Sequence, residues 1–175
     1  MIKTPEQIFK EKKISGMVNA DFQWSEYISP ADSNNLTLEQ LKNAKKILDI
    51  LSIYKHKVFG GAPISITSGG RSMAHHIAIY KDLNAERAKK DLPLLKVPLK
   101  SGHLLFLAVD FTVKGFTRQQ VYCFMDRVHW GGVEIPDDQD RTHIDLRPEL
   151  CRFNGQTGRV VAYHYNLEAH NKVFH

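Results

Sequence analysis

One carboxylate, Asp110, lies inside the most apolar stretch of this chain, Leu104 to Val113, and it constrains the fold more than any other residue. An ionised group carried into a core by Leu-Leu-Phe-Leu-Ala-Val-Asp-Phe is strongly disfavoured unless it is paired or bound to a metal. The fold must therefore bring something to Asp110, and His103, seven residues earlier, is the first candidate. In an extended segment a seven-residue step places two side chains on opposite faces. A turn or bulge just after His103 is needed if both are to reach one ion.

A second segment, Asp140-Arg141-Thr142-His143-Ile144-Asp145, sets His143 and Asp145 two apart, on one face of a strand, with Ile144 on the other. His143 is then a third ligand candidate. Two imidazoles and one carboxylate leave the fourth tetrahedral place to water, the arrangement of a catalytic rather than a structural zinc. Singly, each histidine is as readily a surface or hydrogen-bonded core residue. His75, His76 and His129 are read that way, as structural or solvated. Trp24, Trp130 and Tyr163 are read as core or cleft wall.

The chain has 175 residues, 42% of them apolar, enough for one buried core and short for two. No repeat or low-complexity linker marks a boundary, so the expectation is an arm over residues 1–20 and one domain over 21–175. Thr37 with Gln40 forms a capping box, and Leu41, Ala44, Leu48 and Leu51 follow at helical spacing to about Lys57. Gly60-Gly61 ends that helix. Ile64 to Thr67 reads as a strand running into Ser68-Gly69-Gly70-Arg71-Ser72, and a helix follows over much of Met73 to Lys90. Leu104 to Val113 reads as a buried strand, and Thr117 with Gln120 opens a helix to about Val128. Val133 to Ile135, Thr142 to Leu146 and Arg159 to Tyr163 read as short strands. The expected class is α+β, one domain with a small, mainly antiparallel sheet flanked by helices.

No apolar run approaches the ~20 residues needed to span a bilayer. The opening Met-Ile-Lys-Thr-Pro-Glu-Gln lacks the apolar stretch of a secretory signal, so a soluble chain made in the cytoplasm is expected. Cys123 and Cys151 lack metal or redox spacing and read as ordinary thiols. The net charge of +5 is spread among acids along the chain, which favours a solvated basic surface over a nucleic-acid partner.

Taken in order, Ser68-Gly69-Gly70-Arg71-Ser72, then Ser101-Gly102-His103-Leu104-Leu105-Phe106-Leu107-Ala108-Val109-Asp110, then Thr142-His143-Ile144-Asp145 resemble a known family. It is that of the zinc D-Ala-D-Ala carboxypeptidases and L-alanyl-D-glutamate endopeptidases, phage lysins included, which shares its metal-site fold with the hedgehog signalling domain. Members read like S-G-Y-R-S, S-x-H-x-x-G-x-A-x-D and x-H-x-D. Phe22 to Tyr27 with the capped helix after it also looks like the entry of phage-type members, so the similarity runs over roughly residues 22 to 147. Two positions depart from the pattern: Gly70 stands where an aromatic residue is usual, and Phe106 where the metal motif has glycine. The stretch from Arg71 to Ser101 is also longer than in most members.

The resemblance implies Zn2+ held by His103, Asp110 and His143, and Asp140 as general base, with Asp138 a rival in the same acidic cluster. It implies Arg71 and Ser101 as substrate-binding residues, the arginine gripping a carboxylate as a bidentate fork. Asp145 would orient a neighbour from outside the ligand set. The implied function is a zinc metallopeptidase cutting peptidoglycan stem peptides, acting as a monomer at the bacterial cell wall through phage-type release or from a virion. No nucleic acid partner and no membrane insertion are expected. The alternative, motivated by Gly70 and Phe106, is a wall-binding or structural phage protein that keeps the fold with little or no turnover.

Overall fold

Thr37 starts the longest helix of the molecule, and its side chain accepts from the Gln40 amide while the Gln40 side chain returns to the Thr37 amide. In the computed structural model, which describes residues 1–135, 140–154 and 160–162, the chain runs α1 (Pro5–Glu11), α2 (Trp24–Tyr27), α3 (Leu38–Lys57), β1 (Ile64–Ser68) and α4 (Met73–Ala88). It continues through β2 (Ala108–Val113), α5 (Arg118–Val128), β3 (Gly132–Ile135), β4 (Thr142–Asp145), β5 (Cys151–Asn154) and β6 (Val160–Ala162). The class is α+β. The six strands form one sheet in the order β1-β2-β4-β3-β5-β6, antiparallel throughout except for the parallel pair β3 and β5.

The sheet divides the molecule because its strands alternate. Val109, Phe111, Val113, Val133 and Ile144 are buried in one core with Leu41, Ala44, Ile47, Leu48 and Leu51 of α3 and Val121 and Met125 of α5. The residues between them, Ala108, Asp110, His143 and Asp145, point to the other face. A polar group on that face is positioned by the hydrogen-bond ladder and backed by the core. Residues 1–20, expected as an arm, are folded against this body. Ile8 of α1 is buried, α1 packs on α3, and the Trp24 indole donates to the Lys3 carbonyl at 3.2 Å.

The sequence expectation placed the strand from Leu104, but β2 begins at Ala108. Residues 102–106 are instead a turn, closed by Leu107 N donating to Gly102 O at 2.8 Å and Phe106 N to His103 O at 3.3 Å. Phe106 takes a left-handed φ of 59° there. Glycine adopts that conformation without strain, and a bulky residue holds it only when its surroundings compensate. The compensation is packing: Phe106 is fully buried, edge-on to Tyr27 at 6.2 Å between centroids.

Candidate metal centre

The turn after His103 brings two parts of the chain to one point. His103, Asp110 and His143 each offer one ligand atom, and these atoms lie within 4.8 Å of one another. His103 is 4% exposed, Asp110 3% and His143 9%, so the cluster is buried but not sealed. Asp110 faces His143 across the β2–β4 pair, so the ladder itself sets their spacing. His103 reaches them from the turn.

The surrounding hydrogen bonds orient both rings. His103 donates from Nδ1 to the Gly69 carbonyl at 2.7 Å, which leaves Nε2 facing Asp110 Oδ1 at 3.5 Å. His143 directs Nδ1 at Asp110 Oδ1, 2.7 Å away, and Nε2 at Asp145 Oδ2, 3.5 Å away. Such a carboxylate behind a ligand histidine fixes its orientation and raises its basicity. Burial pulls the His143 pKa down, but Asp110 and Asp145 together push it up to about 9. Burial would raise Asp110, yet the two imidazoles hold it well below the usual carboxylate range. His103 is lowered, chiefly by burial, which favours the neutral form a metal ligand requires. Two imidazole nitrogens and a carboxylate oxygen, each ring turned by a partner on its far side, fit a divalent metal.

Asp145 is fixed in turn by Gly132 N at 3.2 Å, Arg147 N at 3.1 Å, Arg147 Nε at 2.7 Å and Arg147 Nη2. A Cβ at Gly132 would sit 2.5 Å from the Asp145 carboxylate, so glycine is what lets β3 approach so closely. The Ser68–Ser72 segment serves the site twice. Gly69 holds His103, and the Arg71 amide donates to the His103 carbonyl at 3.1 Å. Asp32, 2% exposed, anchors the far side of the segment by accepting from Ser72 N and from His75 Nδ1 at 2.7 and 2.6 Å.

Not every candidate from the sequence reaches the cluster. Arg71 does come near: burial depresses its pKa, Asp110 pushes it back up, and its Nε is buried with no hydrogen-bond partner among the described residues. Ser101 uses its hydroxyl to accept the His103 amide at 3.3 Å, within the turn. Asp140 is exposed and lines a hollow with Phe111, Phe116, Val121 and Thr142, on the helix-covered face of the sheet. Asp138 and Tyr163 fall outside the described residues. His75, His76 and His129 are all hydrogen-bonded, Trp24 is core, and Trp130 is 70% exposed.

Three residues near the cluster were not singled out from the sequence. Arg141 Nη1 lies 2.9 Å from Asp110 Oδ1 and 3.2 Å from Glu134 Oε2, so one guanidinium joins a ligand carboxylate to a second, 4%-exposed one. Tyr80, half-buried on α4, is close enough to sense Arg71, Arg141, Glu134 and Asp110. The signal for Glu134 was present: like Asp110, it is a lone charge in a short apolar strand, Gly-Val-Glu-Ile. No protein-family model matches this chain, and the search of curated proteins returned no match.

Proposed function

We propose that this chain is a zinc metallopeptidase that hydrolyses peptide bonds in the stem peptides of bacterial peptidoglycan, acting at the cell wall. The observation that carries the reading is the convergence of His103, Asp110 and His143 from a turn and two strands within 4.8 Å. The order of the three motifs, similar to that of the wall carboxypeptidases and endopeptidases, supports the choice of substrate.

Zinc would be held by His103 Nε2, Asp110 Oδ1 and His143 Nδ1. Bound there, it supplies a water that ionises near pH 7 and a Lewis acid for the scissile carbonyl. The chain supplies the rest. Gly69 and Asp145 keep the two rings turned so that the right nitrogen faces inward. Arg71, a half-buried cation whose Nε has no hydrogen-bond partner among the described residues, suits a free carboxylate such as stem peptides carry.

A second reading is a wall-binding protein that keeps the cluster without turnover, and the position of Asp140 on the opposite face favours it. Digestion of purified muropeptides by zinc-loaded protein separates the two. The peptidase reading expects new peptide ends that disappear with chelator or in His103→Ala. Unchanged muropeptides beside a working control enzyme would overturn it.

A further inference from the structure

We infer that Glu134 is the general base of this site, the role for which the sequence pointed to Asp140. The inference rests on the peptidase reading and begins with the sheet. Ser68 is paired with Asp110, Asp110 with His143, and Glu134 with Phe153. Between β4 and β3, Gly132 pairs with Asp145 and Val133 with Ile144, and one further step along that ladder sets Glu134 opposite His143. Ser68, Asp110, His143, Glu134 and Phe153 therefore form one row across five neighbouring strands.

Side chains facing each other across an antiparallel pair project to the same side. Glu134 thus shares the face of His143, on the strand next to it, and neighbouring strands lie only about 4.8 Å apart. The ion pairs agree with the ladder. Arg141 Nη1 touches both Asp110 Oδ1 and Glu134 Oε2, so those two carboxylate oxygens are no farther apart than its two contacts of 2.9 and 3.2 Å laid end to end. The Phe153 ring stands 5.6 Å from His143, edge-on, and walls the row beyond Glu134. Asp140 meets none of these conditions. It lies with Thr142 in the hollow behind the sheet, an odd step from His143.

The chemistry needs one carboxylate beside the metal and outside the ligand set. As the oxygen of water forms its bond to the carbonyl carbon, Glu134 takes one proton from that water. When the C–N bond breaks, the same proton passes to the departing nitrogen, which leaves an amine on one product and a carboxylic acid on the other, and that acid sheds the second proton of the water to solvent at neutral pH. Arg141 keeps Glu134 aimed along the row and is a positioning residue.

The test compares Glu134→Gln with Asp140→Asn in the full chain, each loaded with zinc. Glu134→Gln is expected to keep one zinc per chain and a KM for muropeptide within about threefold, while kcat falls by about 10²–10⁴-fold. The loss in Asp140→Asn is expected to be far smaller. Acetohydroxamic acid gives a readout without turnover, because it binds metal as an anion after its proton passes to a neighbouring base. Calorimetry is expected to show its affinity at neutral pH falling at least about tenfold in Glu134→Gln. If Glu134→Gln does not fold, Glu134→Asp replaces it, with the carboxylate withdrawn by one methylene and the same direction of change. Wild-type kcat in a zinc-loaded Glu134 variant, or the large loss in Asp140→Asn instead, overturns the assignment and leaves the peptidase reading standing. If the wild type cuts nothing, the peptidase reading falls. Equal acetohydroxamate binding by wild type and Glu134→Gln then removes Glu134 as well.

Discussion

The ring of Phe106 fills the space that a side chain at residue 70 would need: a Cβ on Gly70 would stand 2.5 Å from its Cγ and Cε1. A side chain at residue 70 and the aromatic ring at residue 106 therefore exclude each other, and an exchange of glycine and aromatic between the two positions would keep the space filled.

This coupling is measurable. Phe106→Gly is expected to lose about 3–5 kcal/mol by leaving a cavity, less whatever the left-handed φ returns to a glycine. Gly70→Tyr alone meets the ring and should be strongly destabilised. The double variant is expected to recover at least about 1 kcal/mol relative to the sum of the singles. Denaturant unfolding of all four proteins reads the cycle, and strict additivity would rule out the exchange.

Metal uptake should depend on residues that are not ligands. Asp145→Asn keeps shape but weakens the hold on His143 Nε2, so zinc affinity is expected to fall about 10–100-fold. His103→Ala is expected to bind none at the site. Competition with a chromophoric chelator measures both, and wild-type affinity in Asp145→Asn would show that this carboxylate serves only Arg147 and the Gly132 amide.

Stability should also carry the mark of His129. Burial, helped by the Arg152 and His143 charges, pulls its pKa down from 6.5 to about 4, against the Asp145 carbonyl that accepts from its Nε2 and pushes it up. The folded form thus keeps His129 neutral, whereas the unfolded chain takes up a proton below pH 6.5. Its contribution is fully present above that value and is lost as pH falls toward about 4, a change of roughly 3 kcal/mol. Denaturant midpoints between pH 4 and 7 should slope less in His129→Gln, and an unchanged slope would refute this account.

Arg152 ties the far end of the sheet to α5. It is fully buried, forms an ion pair with Asp126, and donates to the carbonyls of Asp126 and Gly131 at 2.7 and 3.1 Å. Arg152→Met leaves that buried carboxylate without its guanidinium and is expected to cost about 3–5 kcal/mol. Arg152→Met combined with Asp126→Leu should cost less than Arg152→Met alone. Thermal unfolding of the three proteins checks the ordering, and a loss below about 1 kcal/mol in Arg152→Met would place the pair among weak surface contacts.

The capped helices and the His103, Asp110 and His143 cluster were legible in the sequence because their signals are local or chemically forced. Thr37 with Gln40 announces α3, and Asp110 in an apolar run demands a partner. The seven-residue step from His103 required a turn, and the turn is there. Other parts were obscured by the same alternation that makes strands readable. Asp140 is three residues before His143, and an odd step along extended chain changes face, whereas Arg141, two residues before it, shares the face and reaches Asp110. β5 escaped notice because Arg152 sits in its middle, apolar in burial but not in type. Its pairing with β3 is parallel and links residues nearly twenty positions apart, a relation that no local pattern carries.

The row that runs from Ser68 through Asp110, His143 and Glu134 to Phe153 has one residue from each of five strands. Each of these groups is held by the ladder of the sheet, whereas His103 reaches them from a turn and is the one member of the cluster that a local opening can withdraw. Amide hydrogens along the row should exchange with solvent only when the whole sheet comes apart, while the capacity to hold an ion should be lost earlier, when the His103 turn opens.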